Sequence, residues 1–307
     1  MNRKHYEWKL KSRTLLLGER TLIMGILNVT PDSFSDGGKH LDPGGAVAYA
    51  LEMEELGVDI IDVGAESTRP GSARISEAEE LRRLIPVMKR LAREITVPIS
   101  VDTYKSAVVE KAIEHGAAII NDPSALTFDP HLARAVTAHD AGLILNHMRG
   151  TPETWAKLPP LKDVMGSILS DLDACVHRAV RAGVERLRIV IDPGIGFGKR
   201  KEQNSEILAR LPELARLDLP ILVGASRKSF LTQATEEETE FASAAAVTSA
   251  ILNGAHIVRV HNVRDMKAAV MVADAVSGAA RSHAEREEPE PPAPAPQPRQ
   301  RTFGRRG

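Results

Sequence analysis

The chain has 307 residues, 43% of them hydrophobic, and its 40 lysines and arginines against 41 acidic residues leave a net charge of −1. That length fills a substantial core, while the balanced charge excludes a protein that coats nucleic acid by bulk electrostatics. A single cysteine, Cys175, excludes an internal disulfide or multi-thiolate metal site, and no bilayer-length apolar run or signal-peptide core is present, so a soluble cytoplasmic protein is expected.

Residues 1–20 predict a small strand pair. From residue 21 onward, short β-branched runs alternate with longer amphipathic stretches. The predicted strands are TLIMGIL (21–27), VDIIDV (58–63), PISV (98–101), AAII (117–120), GLILN (142–146), RIVI (188–191), PILVG (220–224) and HIVRV (256–260). Helical periods lie between them. In SEAEELRRLIPVMKRLAREI, for example, Leu81, Leu84, Ile85, Met88 and Leu91 recur at three- and four-residue spacings. Gly57, Gly116, Gly183 and Gly254 each stand just before a strand, where a helix C-cap is expected.

Eight such units in some 260 residues predict an α/β fold, a closed (β/α)₈ TIM barrel with the N-terminal strand pair across its bottom. An open doubly wound sheet shows the same alternation. It concentrates its site at one switch point, however, whereas here polar motifs follow almost every strand. The division expected is one catalytic barrel domain over 1–280 and a disordered tail over 281–307. Six of the 19 prolines fall in that tail, which has almost no large apolar residue and a basic end, RQRTFGRRG.

The loops after the strands read NVTPDSFSDGG (28–38), GAESTRPG (64–71), DTYKS (102–106), NDPSAL (121–126), NHMRGTPETW (146–155), DPGIGFGK (192–199), ASRKS (225–229) and, with Arg259 on the last strand, HNV (261–263). In a barrel all of them meet at one mouth, where such folds carry their chemistry. Taken singly, Asp102, Asn121 and Asp192 are ordinary turn or cap residues. Together they bring carboxylates and an amide to one opening, suited to a flat ligand edge with two N–H donors. Arg69, Lys228, Arg259 and His261 are four potential cations from barrel strands two, seven and eight, pointing to a phosphorylated substrate. Asn28 and Asp36 offer oxygen ligands of the kind a phosphate-bridging Mg²⁺ accepts. GIGFGK satisfies neither a phosphate-binding Walker loop nor a dinucleotide fingerprint, and the ten histidines show no zinc spacing.

With MGILNVTPDSFSDGG, IIDVGAESTRPG, ISVDTYKS, IIND, DPGIGFGK, GASRKSF and IVRVHNV in this order, the chain resembles the dihydropteroate synthases of folate biosynthesis from about residue 7 to 278. The resemblance implies condensation of 6-hydroxymethyl-7,8-dihydropterin diphosphate with 4-aminobenzoate, assisted by Mg²⁺, to give 7,8-dihydropteroate and diphosphate. It implies pterin contacts from Asp102, Asn121, Asp192, Lys228, Met148 and Gly224, and diphosphate contacts from Asn28, Arg69, Arg259 and His261. Asn28 would also be the metal ligand. Thr68, Pro70, Phe197 and Ser229 would surround the aminobenzoate, and Asp102, Lys228, Arg69 and Asp36 would carry the catalysis. Similar enzymes are homodimers, and no nucleic-acid or membrane partner is implied.

Three departures stand out: Glu238-Thr239 where relatives commonly carry Glu-Arg, HNV for His-Asp-Val, and GAES for Gly-Gly-Glu-Ser. No insertion interrupts STRPGSARIS, which leads us to expect ordinary sulfonamide sensitivity. Two rival readings are a corrinoid methyltransferase, which needs no diphosphate pocket, and a pterin-binding paralogue without activity.

Overall fold

The computed structural model describes residues 3–30, 43–69 and 71–287. Strands β1 (Tyr6–Lys9) and β2 (Thr14–Leu17) form an antiparallel pair. The eight barrel strands follow as β3 (Leu22–Asn28), β4 (Ile60–Gly64), β5 (Ile99–Asp102), β6 (Ala117–Asp122), β7 (Gly142–Asn146), β8 (Ile189–Asp192), β9 (Leu222–Val223) and β10 (Ile257–Val260). All eight are parallel, ordered β8-β7-β6-β5-β4-β3-β10-β9, and a bridge between Ile191 and Ile221 joins the two ends. This closure rejects the open sheet.

The principal helices are α1 (Pro43–Glu55), α2 (Glu77–Glu94), α3 (Ser106–Glu114), α4 (Leu132–Ala138), α5 (Val164–Arg181), α6 (Lys201–Ala209), α7 (Glu236–Leu252) and α8 (Val263–Glu287). Local chemistry explains α2 well. Ser76 caps it by accepting from the Glu79 amide, three glutamates occupy its first turn, and Leu84, Val87, Met88 and Leu91 turn to the barrel. The four glycines expected as C-caps all adopt left-handed φ, between +83° and +101°. Helix α8 continues past position 281 to Glu287; residues 288–307, most of the expected tail, lie outside the described residues.

Side-chain alternation divides the core in two. Ile23, Ile61, Val101, Ile120, Leu143, Ile191, Val223 and Val258 point outward and pack on the helices. Leu22, Met24, Ile60, Ile119, Ile144, Val190, Leu222 and Ile257 point inward. The hairpin plugs this interior from below with Trp8, Leu10 and Leu17, and the Trp8 indole donates to the Arg188 carbonyl at 2.8 Å. Gly142 is required there, because a Cβ would lie 2.5 Å from a Leu10 methyl and 3.1 Å from the Trp8 ring.

Candidate active site

Two positions further along the strands, the inward residue becomes polar. Ile60 is followed by Asp62, Ile119 by Asn121, Ile144 by Asn146, Val190 by Asp192 and Ile257 by Arg259, while on β5 the already polar Ser100 is followed by Asp102. The period of two thus turns an apolar floor into a charged ceiling, and above it opens a cavity of about 540 Å³. Asn28, Thr68, Arg69, Asp102, Gly224, Lys228, Ser229, Arg259 and His261, all expected at the site, line it. The strand order β4-β3-β10-β9 puts the loops bearing Arg69, Lys228 and His261 on one side, as the sequence implies. Asp36 and Pro70 lie outside the described residues.

Arg259 organises the ceiling. Its Nε donates to Asp62 Oδ2 at 2.6 Å and its Nη2 to Asp102 Oδ2 at 2.9 Å. Asn121 Nδ2 donates to the same Asp62 oxygen at 3.1 Å, so this amide reaches the site through Asp62. Burial pushes the Asp102 carboxyl up, Arg259 pulls it back, and Asp62 raises it again. Burial weakens the Arg259 guanidinium, but the aspartates outweigh it and keep the charge in place.

Asp192 ends β8, with Oδ1 accepting from the Gly194 amide at 2.7 Å. Its Oδ2 lies 3.9 Å from where a Cβ on Gly224 would stand. Burial pushes Asp192 up to about 6, against the amide and three nearby cations. Lys228 follows β9 and places its ammonium 4.1 Å from the centre of the Phe197 ring. Burial and Arg259 lower it to about 8, while Asp192 and Asp102 oppose them. The Phe197 ring meets Trp155 edge-on at 5.3 Å, and Met148 is half-buried just beyond β7.

His261 departs from its expected charge. Burial and the cations Arg259, Arg227 and Lys228 hold it down to about 3, so it enters the site as a neutral ring rather than a fourth cation. Its Nδ1 lies 3.1 Å from Ser226 Oγ, which also receives the His261 amide.

Sequence reasoning missed several residues. Asp62 is wholly buried under Arg259, and its inward parity two places after Ile60 was the available signal. Glu66 lines the cavity and accepts from Tyr104, Lys105 and the Ile75 amide, tying down both ends of the segment that carries Thr68 and Arg69. Trp155 forms part of the cavity wall, and Lys199 knits two loops together.

Among the described residues no cluster of three or more histidine, cysteine or carboxylate side chains forms a metal cage. The Asn28 side chain fits a different arrangement. A Cβ on Gly64 would be 3.6 Å from both Asn28 Oδ1 and Asp102 Cβ, which puts a neutral oxygen donor at the cavity wall beside a carboxylate. Mg²⁺ usually keeps several waters and takes one or two protein oxygens beside substrate phosphates, an arrangement with which an oxygen donor at this wall is compatible.

A barrel with this mouth is matched by the family of pterin binding enzymes over residues 24–261. Dihydropteroate synthase of Synechocystis sp. is 44% identical over 263 residues, covering 84% of this chain and 91% of the relative. The Yersinia pestis dihydropteroate synthase in complex with a sulfonamide drug superposes with a TM-score of 0.84 at 39% identity, covering 89% and 99% of the two chains. A Xanthomonas albilineans dihydropteroate synthase in complex with 7,8-dihydropteroate gives 0.78 at 38%, covering 88% and 98%. The chain belongs to the pterin binding enzymes and, among them, to the dihydropteroate synthases. It is a transferase of folate synthesis.

Proposed function

We propose that the cavity binds 6-hydroxymethyl-7,8-dihydropterin diphosphate and 4-aminobenzoate and joins them to 7,8-dihydropteroate, releasing diphosphate. The observation that carries this reading is the meeting of two opposite chemistries in one cavity. Carboxylates lie deep in the barrel, while arginine and lysine ring one side of the mouth. The pterin presents its 2-amino group and a ring N–H to Asp192, with Asp102, Asn121, Lys228, Met148 and Gly224 around the ring. The diphosphate meets Asn28, Arg69, Arg259 and His261. The aminobenzoate lies among Thr68, Pro70, Phe197 and Ser229.

The C–O bond to diphosphate breaks first, because the electron-rich pterin spreads the positive charge left on the methylene carbon. Asp102 opposes that charge, and Arg69 and Lys228 oppose the charge of the leaving group. When bound at Asn28 and the loop bearing Asp36, Mg²⁺ supplies further neutralisation of the diphosphate. The aniline nitrogen is uncharged near neutral pH, so it attacks without a strong base and loses its proton to water. The protein's share is positioning and electrostatics, with no covalent intermediate.

The chain is proposed to act in the cytoplasm as one catalytic domain over 1–280, paired as a homodimer through its late helices. Phe241 on α7 and Met271, Val272 and Val276 on α8 support the pairing, being large apolar side chains left exposed. No described helix is long and apolar enough to cross a membrane. Mixing both substrates with Mg²⁺ and identifying the product by mass tests the reaction. Dihydropteroate formation is expected; pterin binding without product contradicts the proposal and favours the inactive paralogue.

A further inference from the structure

Strands β7 and β8 run side by side to the site, pairing Asn146 with Asp192, and the ladder ends where the His147 amide donates to the Asp192 carbonyl at 2.9 Å. Beyond it, the two loops stay together for another seven residues. A buried ammonium joins them: Lys199 Nζ donates to the carbonyls of His147 at 2.7 Å, Pro193 at 2.8 Å and Gly194 at 2.7 Å. Burial pushes Lys199 well down, but three carbonyl oxygens that can only accept favour the protonated form, and all three donors of that ammonium go to the main chain. Lys199 has 9% of its surface exposed.

The loops approach too closely for side chains between them. A Cβ on Gly194 would stand 1.9 Å from the His147 carbonyl oxygen, and one on Gly198 would stand 2.6 Å from that of Arg149. Both glycines take left-handed φ, +68° and +72°. Arg149 returns a bond to the Gly198 carbonyl at 3.1 Å, and the Trp155 indole donates to the Arg149 carbonyl at 2.7 Å. Two site groups depend on this packing. Asp192 Oδ1 is held by the amide of Gly194, a residue whose carbonyl Lys199 grips. Phe197, two residues before Lys199, is fixed against Trp155.

We infer that Lys199 is a positioning residue: its ammonium clamps the loops after β7 and β8 and thereby sets both the Asp192 carboxylate and the Phe197 ring. It touches no substrate in this assignment. The inference rests on the proposed pterin site. A countercharge to Asp192 would need only a cation nearby, whereas the clamp needs three donors at one point.

The test compares wild type, Lys199→Ala and Lys199→Arg for turnover and for binding of free 7,8-dihydropterin, with and without methylammonium. The clamp predicts that Lys199→Ala raises the dissociation constant for dihydropterin and the KM for pterin diphosphate by roughly tenfold or more, with a smaller effect on kcat. Methylammonium should restore much of the loss in Lys199→Ala and do nothing to wild type. Lys199→Arg, which keeps charge but cannot place three donors at that point, should stay impaired. Wild-type dihydropterin affinity in Lys199→Ala, or full recovery in Lys199→Arg, would overturn the inference. Should Lys199→Ala not fold, Lys199→Gln retains two amide donors without charge, and an unchanged dihydropterin affinity in it is equally contrary. Absence of turnover by the wild type would instead count against the proposed reaction, leaving the binding comparison to judge the clamp.

Discussion

Arg259 Nε and Asp62 Oδ2 stand 2.6 Å apart beneath the cavity, on strands separated only by β3. A buried ion pair of this kind is weak support for stability, because two desolvation costs offset its Coulomb gain. Removing one partner is another matter. Asp62→Ala leaves Arg259 with Asp102 alone and deprives Asn121 of its acceptor. Denaturant unfolding should show a loss of roughly 3–5 kcal/mol. A loss below about 1 kcal/mol would mean that water solvates Arg259 freely.

The pH profile of kcat/KM for pterin diphosphate should be bell-shaped. In the proposed pocket Asp192 accepts from the pterin only when ionised, and burial has pushed it up to about 6, so activity should fall as pH drops through that value. Lys228 serves only when protonated, and burial with Arg259 has lowered it to about 8, so activity falls as pH rises through that value. Asp192→Asn should remove most pterin affinity and leave an acidic limb set by Asp102, which burial pushes up to about 7. A flat profile between pH 5 and 9, a range spanning about one unit beyond each limb, would contradict these assignments.

The hairpin plug makes a purely structural prediction. Trp8 is fully buried, and its removal leaves a cavity under the barrel floor while stranding the Arg188 carbonyl. Trp8→Ala should cost roughly 3–5 kcal/mol in unfolding experiments. Dihydropterin affinity at low temperature should change little, since the floor separates the plug from the mouth.

A sulfonamide should compete with 4-aminobenzoate. Thr68, Ser229 and Trp155 line the cavity, and the STRPGSARIS segment carries no insertion. Inhibition kinetics should give a raised KM for aminobenzoate at constant maximal rate. Non-competitive behaviour, or none, would place the aminobenzoate elsewhere.

Chelation gives a further check. In the proposed reaction Asn28 is the one described candidate ligand, and Mg²⁺ would take most of its contacts from diphosphate. EDTA should therefore suppress turnover of pterin diphosphate yet leave binding of free dihydropterin intact, as measured by fluorescence titration.

Much of this was legible because barrel strands signal themselves twice, by β-branched runs and by the polar residue at each end. Every predicted strand is present, β7 at its predicted bounds and the others with an end shifted by one or two residues, and β9 shrinks from PILVG to Leu222–Val223 where only two residues pair with β10. Helix α7 begins at Glu236, six residues ahead of the small-residue run that starts at Ala242. Thr235 and Glu238 form a reciprocal cap that a search for apolar periodicity passes over. In the site, residues beyond strand ends were readable as motifs. Asp62 and Lys199 were not, since one hides inside an apolar strand and the other acts only through backbone carbonyls brought near by folding. The charge of His261 was likewise unreadable, because it depends on burial and on four cations, Arg259 on its own strand, Arg227 and Lys228 after β9, and Arg69 after β4.

In the proposed reaction the cationic side of this mouth drives the loss of diphosphate, and Lys228 is the cation whose removal should stop it. Diphosphate release from 6-hydroxymethyl-7,8-dihydropterin diphosphate should be measured with Mg²⁺, with and without 4-aminobenzoate, for wild type and Lys228→Ala. Aminobenzoate-dependent turnover should collapse in the mutant, by roughly a hundredfold or more. Turnover that survives the mutation, or a wild type that binds pterin and releases nothing, would contradict it.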